Sequence, residues 1–229
     1  MDTKSKLFFN ILRDLQTEGI LNDIIIIGSW THHFYRIQFK DTTRISAVRT
    51  LDVDFLIPNP PRIKKDVNIQ EMLKKYQFKV ITSYPTGYTK YQNPELDVEF
   101  LISELGPEKK SGQIQIDKLH IQANKLRMLN FLQSYTTTII DTENNITARV
   151  PEPAAYVLHK LIIAQRRTAP DKKAKDLKAA QEIGNLLLEN PTQKKKLKYI
   201  FQEIPKGWQR KIIKSAKENF LELHDFLKS

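Results

Sequence analysis

Two aspartates separated by a single valine interrupt an otherwise apolar run, Leu51-Asp52-Val53-Asp54-Phe55-Leu56-Ile57. The run reads as a buried β-strand, and side chains two apart on a strand point the same way. Asp52 and Asp54 therefore share one face, with Cα atoms roughly 7 Å apart. Two carboxylates that close repel one another and are costly to desolvate, so a fold keeps them only with a cation beside or between them. The spacing suits a pair of divalent ions about 4 Å apart that clamp the attacking and leaving oxygens of a phosphoryl transfer.

The pattern recurs once. Leu96-Asp97-Val98-Glu99-Phe100-Leu101-Ile102 again alternates acids with apolar residues. Upstream, Asp23-Ile24-Ile25-Ile26-Ile27 is short and β-branched, as a strand buried on both faces should be. Gly28-Ser29 breaks it, and Trp30 to Phe39 reads as a helix. Gly-Ser at a helix mouth lets a phosphate approach backbone N–H groups at the positive end of the helix dipole. Trp30 reads as a core residue, with base stacking as its alternative role.

The rest of the chain divides into two parts. Helices are expected at Lys6–Gln16 and Asn68–Tyr76, and hairpins at Phe78–Thr82 with Gly87–Gln92 and at Thr136–Ile140 with Ile146–Val150. The first hairpin turns at Pro85-Thr86-Gly87, and Gly106 to Gly112 is a polar loop carrying Lys109 and Lys110. Pro151 and Pro153 mark a boundary, and helices are expected beyond it at Glu152–Arg167, Asp171–Glu189, Gln193–Glu203 and Gly207–Leu227. The expected fold class is α+β, a mixed sheet with flanking helices over residues 1–150 followed by a helical bundle over 151–229.

Of the 229 residues, 37 are Lys or Arg and 26 Asp or Glu, giving a net charge of +11. Much of the excess is C-terminal, which points to a polyanionic partner such as RNA or a nucleotide. Lys194-Lys195-Lys196, Trp208 and Arg210-Lys211 form a candidate RNA-facing surface beside the plainer reading of a solvated helix face. The absence of cysteine excludes disulfides and thiolate metal sites and fits a reducing compartment, so the cytoplasm is expected. No apolar run is long enough for a transmembrane helix, and no membrane role is expected. The five histidines lack zinc spacing, and neither a Gly-x-Ser-x-Gly elbow nor a Walker loop is present.

An apolar strand, Gly-Ser, a helix, and Asp-x-Asp on the next strand together resemble the nucleotidyltransferase superfamily typified by DNA polymerase beta. The resemblance rests on Ile24 to Ser29 and Leu51 to Phe55. It implies that Asp52 and Asp54 bind magnesium, with manganese as the alternative ion, and that Gly28 and Ser29 hold a nucleoside triphosphate. It further implies a third acid on a neighbouring strand. Asp97 matches that pattern best, and Glu99 is the alternative. Arg49, just ahead of the aspartates, echoes an arginine common in this group and is expected to orient them or meet a phosphate.

The helical half is similar to the minimal bacterial nucleotidyltransferases, including abortive-infection and type IV toxin relatives. Tyr156 to Ile162, Arg166-Arg167 and Lys175-Asp176-Leu177 carry this likeness. It implies that Lys160 contacts nucleotide phosphates and that Asp176 supports the site. The implied activity moves a nucleoside monophosphate from an NTP to a hydroxyl acceptor such as RNA or tRNA. Two other readings are a non-catalytic nucleic-acid-binding module and the toxin of a toxin–antitoxin pair with an antitoxin or other regulatory partner. Retained acids argue against the first, because an uncompensated acidic cluster repels RNA.

Overall fold

Alternation sets the central strand pair. Val53, Phe55 and Ile57 alternate with Asp52, Asp54 and Leu56, and the next acid-bearing segment copies that rhythm with Val98, Phe100 and Ile102. In the computed structural model, which describes residues 2–40, 43–47, 50–84, 87–105 and 112–229, these segments are neighbouring parallel strands with Val53 level with Val98, Phe55 with Phe100 and Ile57 with Ile102. The apolar faces merge into core. Phe55 stacks on Phe100 with ring centroids 5.5 Å apart, and Tyr91 meets Phe100 edge-on. Each such buried ring contributes about 1.5–3 kcal/mol.

The chain divides into two compact units, Met1–Ile37 with Ala47–Pro151 and Gln38–Ser46 with Glu152–Ser229. The first runs α1 (Thr3–Thr17), β1 (Ile25–Ile27), a 3-10 turn (Gly28–Trp30) leading into α2 (Thr31–Phe39), β2 (Asp52–Ile57), α3 (Ile69–Lys74), β3 (Lys79–Thr82), β4 (Thr89–Gln92) and β5 (Asp97–Ser103). It continues with β6 (Gln113–Ile116), β7 (Ile121–Leu126), α4 (Leu129–Ser134), β8 (Thr136–Asp141) and β9 (Ile146–Pro151). The main sheet has the order β1-β2-β5-β4-β3, and β7, paired with β6, lies along the C-terminal part of β5. Only β2–β5 and β5–β7 are parallel, so the sheet is mixed. The α+β expectation therefore stands.

Trp30 is 2% exposed and stacks on Phe8 at 3.9 Å, so it belongs to the core and presents no free ring face to a base. The β8–β9 hairpin forms a separate two-stranded sheet. Its Asp141 is tied to α2 by His33 Nε2 at 2.7 Å and receives the backbone N–H and side-chain amide of Asn144. Burial pushes the Asp141 carboxyl up, but the bonds from His33 and Asn144 outweigh it and hold the group below its ordinary 3.8. A carboxylate depressed in the folded state stabilises above its unfolded value and loses that contribution as pH falls through the folded one. We expect an Asp141→Asn variant to show a flatter loss of thermal stability than the parent below about pH 4, as melting curves across that range would show.

The second unit holds α5 (Pro153–Ala164), α6 (Pro170–Glu189), α7 (Pro191–Glu203), α8 (Lys206–Asn219) and α9 (Leu221–Lys228). The single helix expected over Gly207–Leu227 is two. Phe220 leaves helical geometry at φ −156° and ψ 75°, and its ring lies where a side chain on Gly184 would be, 2.3 Å from that Cβ position. Anchoring one aromatic ring against α6 thus outweighs continuing the helix. Strands β6 and β7 and helix α4 lie outside the expected elements: Gln113-Ile114-Gln115-Ile116 alternates but is only four residues long, and β7 is half polar. No helix among the described residues is long and apolar enough to cross a membrane.

Candidate active site

Parallel pairing of β2 with β5 sets Asp52 level with Asp97 and Asp54 level with Glu99. Residues level on adjacent strands share a face, so four carboxylates line one side of the sheet in two ranks. Past Leu56 and Leu101, which are also level, that face becomes apolar. The acids therefore sit at one end of the strands, where Asp52 is exposed, Asp54 and Glu99 are half-buried and Asp97 is buried.

β1 delivers the remaining wall. Ile27 pairs with Asp54, and Gly28 follows at φ +72°, a left-handed conformation that favours glycine. A Cβ at Gly28 would stand 2.3 Å from Asp54 Oδ2, so the carboxylate lies directly against glycine backbone. Thr31 then donates its hydroxyl to the Gly28 carbonyl at 2.7 Å, fixing the turn that carries half-buried Ser29 into α2. Gly28→Ala is expected to cost about 1 kcal/mol in stability for the backbone conformation alone. The crowding at Asp54 adds to that cost, and a melting curve measures the sum.

The two third-acid candidates differ in their surroundings. Both oxygens of Asp97 are engaged, Oδ2 by Lys90 Nζ at 2.5 Å and Oδ1 by Gln92 Nε2 at 2.9 Å. Glu99 instead shares in a network with Asn124, whose amide also bonds the Thr89 backbone. Burial first, then the charge of Asp52, pushes the Glu99 carboxyl above its usual range, with Asp97 adding to the effect. Lys90 and Asn124 offset this only in part. Thr50 Oγ1 caps the Asp52 backbone N–H and reaches its carboxylate at 3.2 Å. Sequence reasoning overlooked Lys90 and Gln92. Their signal was the spacing in Thr89-Lys90-Tyr91-Gln92, two polar residues flanking a core tyrosine just before the acid strand.

In the helical unit, Lys160 and Asp176 come together. Lys160 Nζ meets Asp176 Oδ1 at 2.6 Å, and Arg167 Nε meets Oδ2 at 2.8 Å. Burial pushes Asp176 up, but the two cations hold it below its ordinary value. Burial likewise pulls Lys160 down, and Tyr156, whose ring lies 5.3 Å from the ammonium, and Asp176 outweigh it. Neighbouring His159 is pushed down to about 3, by burial first and then by Lys160, so its imidazole is neutral. Arg49, Lys109, Lys110 and the Pro85-Thr86 turn lie outside the described residues.

Oxygen-only donors of this kind suit hard divalent cations. Mg²⁺ typically keeps several waters and takes one or two carboxylates plus substrate phosphates rather than a full protein cage. Among the described residues, no group of three or more His, Asp or Glu side chains is placed to hold a metal ion.

Residues 7–204 match the model of a family described as "Nucleotidyltransferase". Among solved structures, an antigenic nucleotidyltransferase-like protein from Paracoccidioides brasiliensis is similar in fold, with a TM-score of 0.51 at 13% identity over 98% of this chain and 92% of that one. A tRNA nucleotidyltransferase complexed with a primer tRNA and an incoming ATP analog matches at 14% identity over 95% of this chain and 62% of that one, but its TM-score of 0.25 carries no weight. No curated protein matches at a significant level.

Proposed function

The chain belongs to the nucleotidyltransferase family, and on that premise we propose that it transfers a nucleoside monophosphate from an NTP to a hydroxyl acceptor. The observation that carries this reading is the register of β2 and β5, which gathers Asp52, Asp54, Asp97 and Glu99 on one face. Asp52, Asp54 and Glu99 would hold magnesium, or manganese in its place. Glu99 is preferred to Asp97 as the third acid because Asp97 already spends both oxygens on Lys90 and Gln92. When bound, the ions would polarise the α-phosphate and neutralise charge on the departing pyrophosphate.

The chain's own groups supply the rest. Gly28 and Ser29 at the start of α2 offer backbone N–H groups to the triphosphate. The acceptor oxygen attacks the α-phosphorus, the bond from that phosphorus to the α–β bridging oxygen breaks, and the hydroxyl proton passes to Glu99. In this reading Lys160 meets a phosphate and Asp176 holds it ready, while Arg49 serves the same nucleotide. The acceptor is RNA. Along α8, Lys206, Arg210, Lys214 and Lys217 form a cationic stripe at helical spacing, successive residues lying about 4.5–6 Å apart along the axis. A chain without cysteine suits the reducing cytoplasm.

The test is incubation of the whole protein with each α-³²P-labelled NTP, magnesium and total RNA. The expected result is label on RNA with matching release of pyrophosphate. Absence of both with every NTP would overturn the reading.

A further inference from the structure

One cation stands inside the acidic face. The Lys90 ammonium bonds Asp97 Oδ2, and its charge acts on Glu99 and Asp52 as well. Among the described residues its charge lowers the Glu99 carboxyl, opposing Asp52 and Asp97. The lysine side chain is 28% exposed, so its head group borders solvent while Asp97, at 10%, is nearly covered. A salt bridge so placed is an odd device for joining strands, since β4 and β5 are already paired at Tyr91 with Val98 and at Gln92 with Asp97. Its more specific consequence is electrostatic, because it subtracts one unit of charge from the carboxylates a divalent ion would use.

We infer that Lys90 is the built-in counter-charge of this site, a positioning residue that holds free divalent cations off the acids so that the ion enters together with the triphosphate. The inference rests on the nucleotidyltransferase reading and on the assignment of Asp52 and Glu99 as metal-facing. A triphosphate brings enough negative charge to overcome one lysine, whereas a bare ion brings none. Even with the dielectric constant of water, a unit charge about 6 Å from a divalent ion alters affinity roughly tenfold. Lys90 is long and flexible, and turning from Asp97 to a phosphate oxygen keeps its charge paired.

The experiment is titration of the full-length protein with Mn²⁺ alone, free ion being read by electron paramagnetic resonance. Lys90→Gln keeps a donor for Asp97 without the charge, and Lys90→Met removes both. Each is expected to bind Mn²⁺ about tenfold more tightly than the parent, while Lys90→Arg returns to parental affinity. A purely structural role predicts the opposite sign, because a loosened Asp97 would weaken the site. Unchanged or weaker binding in the Gln and Met variants, with binding still abolished by Asp52→Asn, overturns the inference and leaves the metal-dependent reading standing. Absence of any Mn²⁺ binding sensitive to Asp52→Asn overturns that reading itself.

Discussion

Asp52→Asn is expected to lower kcat/KM for nucleotidyl transfer about a thousandfold or more while leaving the protein as stable as its parent, or slightly more so. The kinetic size follows from the proposed role of Asp52, since a charge lost from a site built for electrostatic stabilisation of a transferring phosphoryl group has an effect of that order. The stability expectation follows from the surroundings. Asp52 is exposed, its backbone N–H stays capped by Thr50, and its charge is among the influences that push Glu99 up. Asparagine preserves shape and removes the repulsion. A melting curve alongside the labelled-NTP assay separates the outcomes, and a collapsed fold with lost activity would assign Asp52 a structural role instead.

Asp176→Ala is expected to act in the opposite way, costing about 3–5 kcal/mol of folding stability, the usual effect of stranding one partner of a buried ion pair. Lys160, whose side chain is 13% exposed, and Arg167 would face each other without the carboxylate that satisfies both. Urea denaturation of the two proteins measures the difference. Replacing the pair together, Lys160→Met with Asp176→Leu, is expected to recover most of the loss, since apolar residues of similar volume replace buried ion pairs well. If Lys160 meets a phosphate, that stable double variant still loses transfer. Retained transfer would make the pair architectural.

Much of the site was legible because its chemistry is written in strand periodicity. Asp52-Val53-Asp54 and Asp97-Val98-Glu99 announce their shared face through alternation alone, and Gly28 announces a turn. What alternation leaves open is the partner of each acid. Asp97 matched the family pattern better than Glu99, and only the pairing of β4 with β5 brings Gln92 level with Asp97 and so reveals how Asp97 is held. The separate character of α8 and α9 was hidden for a similar reason. Phe220 breaks a good helical pattern because of a space on α6 at Gly184, which is distant in sequence. The basic helices showed their charge in the sequence, but the capture of Asp176 by both Lys160 and Arg167 depends on how α5, its following turn and α6 pack.

The register of β2 against β5 also has a kinetic meaning. Asp52 and Asp97 are about 45 residues apart in the chain, and parallel strands cannot meet until the intervening segment has closed its loop. The two acid pairs therefore come onto one face only once β2 and β5 have paired. The non-local step that pairs these strands is thus the one that assembles the proposed centre, so transfer activity, where it is found, would report that this pairing has formed.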